Sequence, residues 1–192
     1  SGRHVLECRN LTMEFNGLPL FKNISFSIER GERVALIGPN GCGKTTLLEI
    51  ICGLRQPTAG RVKYGYHVEI AYFSQKRVDL DPEKSAAEEI WSVRPFWTRG
   101  QVQNLLARFL FRGEEAFRQV KHMSGGEATR LALAKLLLAE ANFLVLDEPA
   151  NHLDIDDKEV LEDALNEYPG TLLTVSHDRW FLNRVTSVTM EL

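Results

Sequence analysis

The sequence predicts an α/β domain built on a parallel sheet, and three observations carry that prediction. VALI and FLVL are apolar throughout, TLLTV is apolar but for its two threonines, and each runs through a short turn toward a helical stretch. That alternation builds a parallel sheet covered by helices. Ahead of the first of these runs, residues 3–36 string short β-branched and aromatic segments between turns, which reads as antiparallel strands. From Pro82 to Lys121 the texture changes to helical pieces, so residues 82–121 are expected to form a helical subdomain inserted in a single domain spanning 1–192.

Composition agrees. Of 192 residues, 44% are apolar and 26% charged, which is ordinary for a chain with a sizeable core. The 23 basic and 26 acidic side chains leave a formal charge of −3, so no global electrostatic drive toward nucleic acid exists. Cys8, Cys42 and Cys52 are odd in number and lack metal-ligand spacing, the pattern of reduced thiols in a cytoplasmic protein. No apolar run approaches the roughly 20 residues of a membrane helix. The opening Ser-Gly resembles a tag-cleavage scar with no signal peptide behind it. The abrupt strand-like ending VTSVTMEL suits one piece of a larger protein.

In order, VLECRNLTMEF and NISFSI are strands about the turn FNGLP, and ERGE turns the chain into the buried strand RVALIG. A helix runs from Lys44 through TTLLEIIC, with Gly53 as its C-terminal stop. The turn RQPTAG leads to two short strands on either side of Gly65, within RVKYGYHVEIAYFSQ. AAEEIWSV and GQVQNLLARFLF are helical, bounded by Pro82, Pro95 and Gly113. An amphipathic helix follows SGGE, then the strand NFLVLD, the turn EPANHLD, a helix near 156–167, the strand TLLTVS and finally HDRWFLNRV.

GPNGCGKT fits the G-x-x-x-x-G-K-[ST] pattern of a phosphate-binding loop, and it sits between a strand and a helix, where such a loop belongs. Gly38, Asn40, Gly41, Cys42 and Gly43 supply backbone N–H groups for an anion, Pro39 shapes the loop without a donor of its own, and Thr46 continues the helix start. Lys44 reaches β/γ-phosphates, while the Thr45 hydroxyl can ligate Mg²⁺. The strand FLVLD ends on Asp147, a carboxylate at the sheet edge for the same ion, and Glu148 beside it can address an attacking water. His177, after TLLTVS, falls on that edge with a hydrogen-bonding role. Gln75 ends IAYFSQ, where its amide could touch the metal or the water and report occupancy to the helical subdomain.

HMSGGEATRLALAKLLLAE poses a separate question. Ser124 and Glu127 suffice for a capping box, yet Gly125 and Gly126 stand between them. Exposed N–H groups at a helix start form an anion surface, and this chain already has a phosphate loop. The economical reading is a surface that closes on the nucleotide of another copy or another domain.

With these motifs in hand, the chain resembles the nucleotide-binding domains of the ABC ATPases over essentially its whole length. GPNGCGKT corresponds to Walker A, Gln75 to the Q-loop, SGGE to the signature, FLVLDE to Walker B and His177 to the switch histidine. The resemblance implies ATP and Mg²⁺ as ligands. It also implies a composite site in which Ser124, Gly125, Gly126 and Glu127 act on nucleotide held by a partner domain. It implies an adenine-stacking aromatic as well, for which Phe15 is the first choice and Phe21 the competitor.

EPANHLD, SHDRWFL and SGGEATRLALAKLLL are similar to the F subfamily, whose members pair two ATPase domains in one chain and associate with the ribosome. Ala150 departs from the usual Thr and Met123 from the usual Leu; neither removes a phosphate or metal ligand. Asn151, His152 and Asp154 then belong to a turn crossing the dimer interface. Positions 76–123 are too few for the long arm of a first domain, so the resemblance implies the C-terminal one. Implied partners are a second ABC domain and the ribosome with its rRNA or tRNA, with some relatives conferring antibiotic resistance. Arg94, Arg99, Arg108 and Arg112 lend only slight independent support to RNA contact. Two other functions fit the same motifs, the motor of a membrane transporter and an ATP-binding module without turnover. As an isolated fragment the chain is expected to be a weak ATPase, monomeric or weakly dimeric.

Overall fold

The computed structural model describes residues 2–192; Ser1, on which the expectation of a tag-cleavage scar partly rests, lies outside the described residues. The chain divides into two compact units. The first holds the chain up to Tyr72 with Ala141–Glu148 and Pro169–Leu192, and the second holds Phe73–Glu140 with Pro149–Tyr168. The segment 82–121 lies within the second.

In the first unit, β1 (His4–Phe15) and β2 (Leu18–Glu29) form an antiparallel hairpin whose two-residue turn is Asn16-Gly17. Both turn residues have positive φ, 51° and 77°, the geometry that matches strand twist and that Asn-Gly adopts at least cost. A strand β3 (Arg33–Ile37) leads to helix α1 (Lys44–Ile51), and β4 (Ala59–Tyr64) returns to pair antiparallel with β1. Gly53 ends α1 as expected. Its φ is 74°, its N–H donates to the Ile50 carbonyl, and the Leu54 N–H donates to that of Glu49, the paired bonds of a Schellman stop.

The second sheet has the order β5-β6-β7-β3-β8, formed by β3 with β5 (Ile70–Ser74), β6 (Phe143–Asp147), β7 (Thr171–Val175) and β8 (Val188–Glu191). Pairing of β6 with β7, β7 with β3 and β3 with β8 is parallel. All five residues of β6 and of β7 are buried, which explains why neither strand alternates apolar with exposed polar residues. Leu6, Leu11, Ile28, Leu36, Leu48, Ile51, Phe143 and Leu173 are among the side chains of its core. Each is worth roughly 1.5–3 kcal/mol when removed from water.

In the second unit, α2 (Ala86–Val93), α3 (Arg99–Arg108), α4 (Gly125–Leu138) and α5 (Ile155–Glu167) bury Ile90, Val102, Leu106, Phe111, Leu131 and Ala134. Capping boxes start α2 (Ser85/Glu88), α3 (Thr98/Gln101) and α5 (Asp154/Asp157). The final helix α6 (Arg179–Val185) belongs to the first unit and is capped by Asp178. Among the described residues no helix is long and apolar enough to cross a membrane.

Candidate functional site

The loop between β3 and α1 closes tightly against β2. Gly43 has φ 103°, and a Cβ there would lie 2.9 Å from Leu20 and 3.0 Å from the Phe21 ring, so only glycine fits. Lys44 folds over the loop, donating from Nζ to the carbonyls of Gly38 at 2.6 Å and Pro39 at 3.0 Å. One residue on, Thr45 Oγ1 donates to Asp147 Oδ2 at 2.7 Å, joining the start of α1 to the end of β6.

Parallel register sets Asp147 beside Val175, so the residues that follow each strand emerge together. The Glu148 N–H donates to the Val175 carbonyl at 2.8 Å, extending the ladder by one bond. Glu148 then turns with φ 53°, a left-handed conformation that costs a non-glycine residue about 1–3 kcal/mol. Its Oε2 accepts the backbone N–H of His177 at 3.3 Å, and its Oε1 lies 3.1 Å from His177 Nε2. Burial raises the pKa of Glu148 above its ordinary value, against the opposing influence of His177.

These groups share a cleft of about 420 Å³ lined by Phe15, Asn40, Gly41, Lys44, Thr45, Thr46, Asp147, Glu148 and His177. Phe15, 44% exposed, lines its rim, whereas Phe21 is buried in the core at 6%. Leu20 and Val175 also line the cleft, and no motif pointed to them. Nor did any motif point to Arg55, whose guanidinium lies 5.6 Å from the Phe15 ring centroid. Cys42 is half-buried in the loop, and none of the three cysteines is in a disulfide.

The remaining expected site residues lie in the second unit. Ser124 caps α4, its Oγ accepting the Glu127 N–H at 3.2 Å, but the Glu127 carboxylate pairs with Arg118. Half of the expected capping box therefore forms. The two glycines differ. A Cβ on Gly126 would sit 3.0 Å from the His152 carbonyl oxygen, whereas nothing lies within 4 Å of one on Gly125. Gly126 answers an internal packing demand, and Gly125 presents open backbone. Asn151 accepts at its carbonyl from Gln75 Nε2 at 3.1 Å, His152 is left-handed with φ 63°, and Asp154 caps α5. The Gln75 amide is thus held by a neighbouring turn. Arg108 pairs with Glu167, Arg99 stacks 4.3 Å from the Phe117 centroid, and Arg94 donates to the Leu138 carbonyl. Three of the four arginines are therefore engaged within the unit itself.

Among the described residues no three His, Cys, Asp or Glu side chains gather as a metal cage. The donors set side by side are the Thr45 hydroxyl and the Asp147 carboxylate, hard oxygens suited to a hydrated Mg²⁺ held largely by substrate.

Comparison with known proteins decides the family. The ABC transporter family model matches residues 21–151, which hold the loop at 38–45, SGGE and the Asp147–Glu148 pair. The chain belongs to the ABC transporter family. It is an ABC ATPase domain, and its relatives are ABC-F proteins. ABC transporter F family member 5 of Arabidopsis thaliana is 44% identical over all of this chain and 28% of its own length. The ribosome protection protein VmlR of Bacillus subtilis is 44% identical over 97% of the chain and 34% of its own. The energy-dependent translational throttle protein EttA of Haemophilus influenzae is 40% identical, with the same two coverages. The chain thus spans about a third of the length of these relatives.

Proposed function

We propose that this ABC domain binds and hydrolyses ATP with Mg²⁺ by closing face to face with a second ABC domain. The cycle of closing and opening then does conformational work on the ribosome in the cytoplasm. The observation that carries the chemistry is the Glu148–His177 pair at the mouth of a cleft that also holds Lys44, Thr45 and Asp147.

Lys44 and the N–H groups of residues 40–46 bind the triphosphate, and the Lys44 ammonium exchanges its loop carbonyls for phosphate oxygens. Phe15 offers a half-exposed ring for the base. Thr45 and Asp147 would hold Mg²⁺, which when bound neutralises charge on the phosphates. Glu148 accepts the proton of the attacking water, a task favoured by a carboxylate whose affinity for protons is raised by burial. His177 steers that carboxylate from two sides, through its backbone N–H and its ring. Asp147 and Glu148 are adjacent yet separate in role, because the left-handed turn at Glu148 redirects its side chain.

The second domain is needed because the first unit provides a phosphate loop and acid–base groups but leaves the outer side of the triphosphate bare. Ser124 and the open backbone of Gly125 have the chemistry to cover the corresponding side of a partner's nucleotide. The partner is a second ABC domain of the same full-length chain, for which a second copy can stand in when this chain is alone. The ribosomal part of the proposal is supported by what the names of VmlR and EttA say of those proteins.

The test is ribosome co-sedimentation of the Glu148→Gln variant with and without ATP, beside ATP-dependent self-association of the same variant. Binding that requires ATP supports the whole reading. Self-association without ribosome binding would retain the ATPase cycle and discard its ribosomal target.

A further inference from the structure

We propose that Arg130 is a positioning residue for the composite ATPase site, holding the Ser124–Gly125 surface at the orientation in which it can meet a partner's nucleotide. This inference rests on the reading of that surface given above, and it concerns a residue that touches no nucleotide.

Arg130 stands one helical turn beyond Gly126 on α4, so the two share a face. Its side chain is 12% exposed and makes three separate contacts. Nε lies 3.0 Å from Asp157 Oδ1, one terminal nitrogen donates to the Phe109 carbonyl at 2.6 Å, and the guanidinium lies 4.8 Å from the Phe111 ring centroid. Asp157, 11% exposed at its side chain, belongs in turn to the first turn of α5. Its N–H donates to Asp154 Oδ1 at 2.8 Å, and its Oδ2 accepts the Asp154 N–H at 3.4 Å.

The turn before α5 is also where the His152 carbonyl meets Gly126. The N-terminal turns of α4 and α5 therefore touch at two points one helical turn apart, the packed Gly126–His152 contact and the Arg130–Asp157 pair. Leu131 and Ala134 seat α4 in the core of the unit, and these two points fix the direction of its N-terminal turns, and with it the open N–H groups there. A lysine could keep the charge beside Asp157 but cannot also hold the Phe109 carbonyl and stack on Phe111, because it lacks the planar fork of arginine.

The separation of the units makes the role testable. Every residue lining the nucleotide cleft belongs to the first unit, and Arg130 belongs to the second. Loss of the clamp should leave ATP affinity alone and act only where the surface meets a partner.

The experiment compares Arg130→Met, Arg130→Lys and Ser124→Arg with the unaltered chain. The readouts are the dissociation constant of a fluorescent ATP analogue, turnover against chain concentration, ATP-dependent self-association and thermal midpoint. The expected result for Arg130→Met is ATP affinity within about twofold of the unaltered chain. Turnover and self-association should fall about tenfold or more, as a displacement near 1 Å of a positioning group produces. Arg130→Lys should recover part of both. Unchanged turnover and association in both Arg130 variants, with Ser124→Arg inactive, would overturn the inference and leave the composite site standing. Equal loss of ATP affinity and turnover in both Arg130 variants would mark a general structural role and also overturn it. Indifference to Ser124→Arg would remove the composite site itself and the inference with it.

Discussion

Glu148 and His177 meet at two points: Oε1 of the carboxylate lies 3.1 Å from the imidazole Nε2, and Oε2 accepts the His177 backbone N–H at 3.3 Å. A group held in this way has one orientation rather than several, and the parallel register of β6 and β7 is what brings the pair together. Glu148→Gln keeps the shape of this arrangement and removes the base. Turnover should drop by roughly a hundredfold or more while ATP affinity stays unchanged, measured by phosphate release and equilibrium binding on the same preparation.

The same substitution should stabilise the fold. Because burial raises the Glu148 proton affinity, the folded chain favours the neutral acid. That contribution is complete below the ordinary carboxylate value of 4.5 and is lost as pH rises through the higher folded value. Above that folded value the carboxylate is ionised and the contribution is gone, whereas glutamine is neutral throughout. The thermal midpoint of Glu148→Gln should therefore exceed that of the unaltered chain at pH 7. The gap should close as pH is lowered toward 4.5. An equal gap at both pH values would assign it to something other than the charge.

Lys44→Ala removes both the phosphate-seeking cation and its bonds to the Gly38 and Pro39 carbonyls. The expected outcome is loss of nucleotide binding itself, by about a hundredfold in dissociation constant, as two or more charge-assisted bonds would give. Equilibrium dialysis against ATP with Mg²⁺ reads this directly. Retained affinity with lost turnover would show that the backbone of the loop suffices for binding.

Alanine at the two signature glycines should give opposite results. At Gly125 the new methyl meets open space and the helix gains up to about 1 kcal/mol of propensity, so the fold should hold or improve. Turnover should fall, because the open backbone is covered. At Gly126 the methyl meets the His152 carbonyl at 3.0 Å, and the thermal midpoint should drop. Melting curves and phosphate release on both variants separate the two demands.

Thiol labelling should divide the cysteines. Burial pushes the Cys8 thiol up to about 12, so it stays protonated and unreactive toward maleimide at pH 8. Its contribution to stability is full below the ordinary thiol value of 9.0 and is lost as pH rises toward 12. Cys42, half-buried in the phosphate loop, should label in the free chain and be protected by ATP. Mass spectrometry of labelled peptides with and without ATP decides both points.

The local order along the chain was legible in its residues. Asn16-Gly17 specifies a tight hairpin, GPNGCGKT a loop between strand and helix, and FLVL and TLLTV strands covered on both faces. Each of these follows from backbone sterics or from the period of burial, which act over a few residues. Glycine pairs were less legible. Gly125 and Gly126 are identical in sequence, and only the approach of the His152 carbonyl distinguishes them. Likewise, S-x-x-E promises a complete capping box until Arg118 draws the Glu127 carboxylate away.

What the sequence by itself determined was the chemistry on offer: a cation, a hydroxyl, two adjacent carboxylates, a histidine and a Ser-Gly-Gly helix start, each in a recognisable local frame. Tertiary structure alone decided which of these face one another. Thr45 and Asp147 lie 102 positions apart and join at 2.7 Å, because α1 follows β3 in the same sheet that contains β6. Arg130 and Asp157 meet because α4 and α5 pack together at their first turns. Strand order and helix packing are set by burial summed over the whole core, so these pairings cannot be read from the residues nearby.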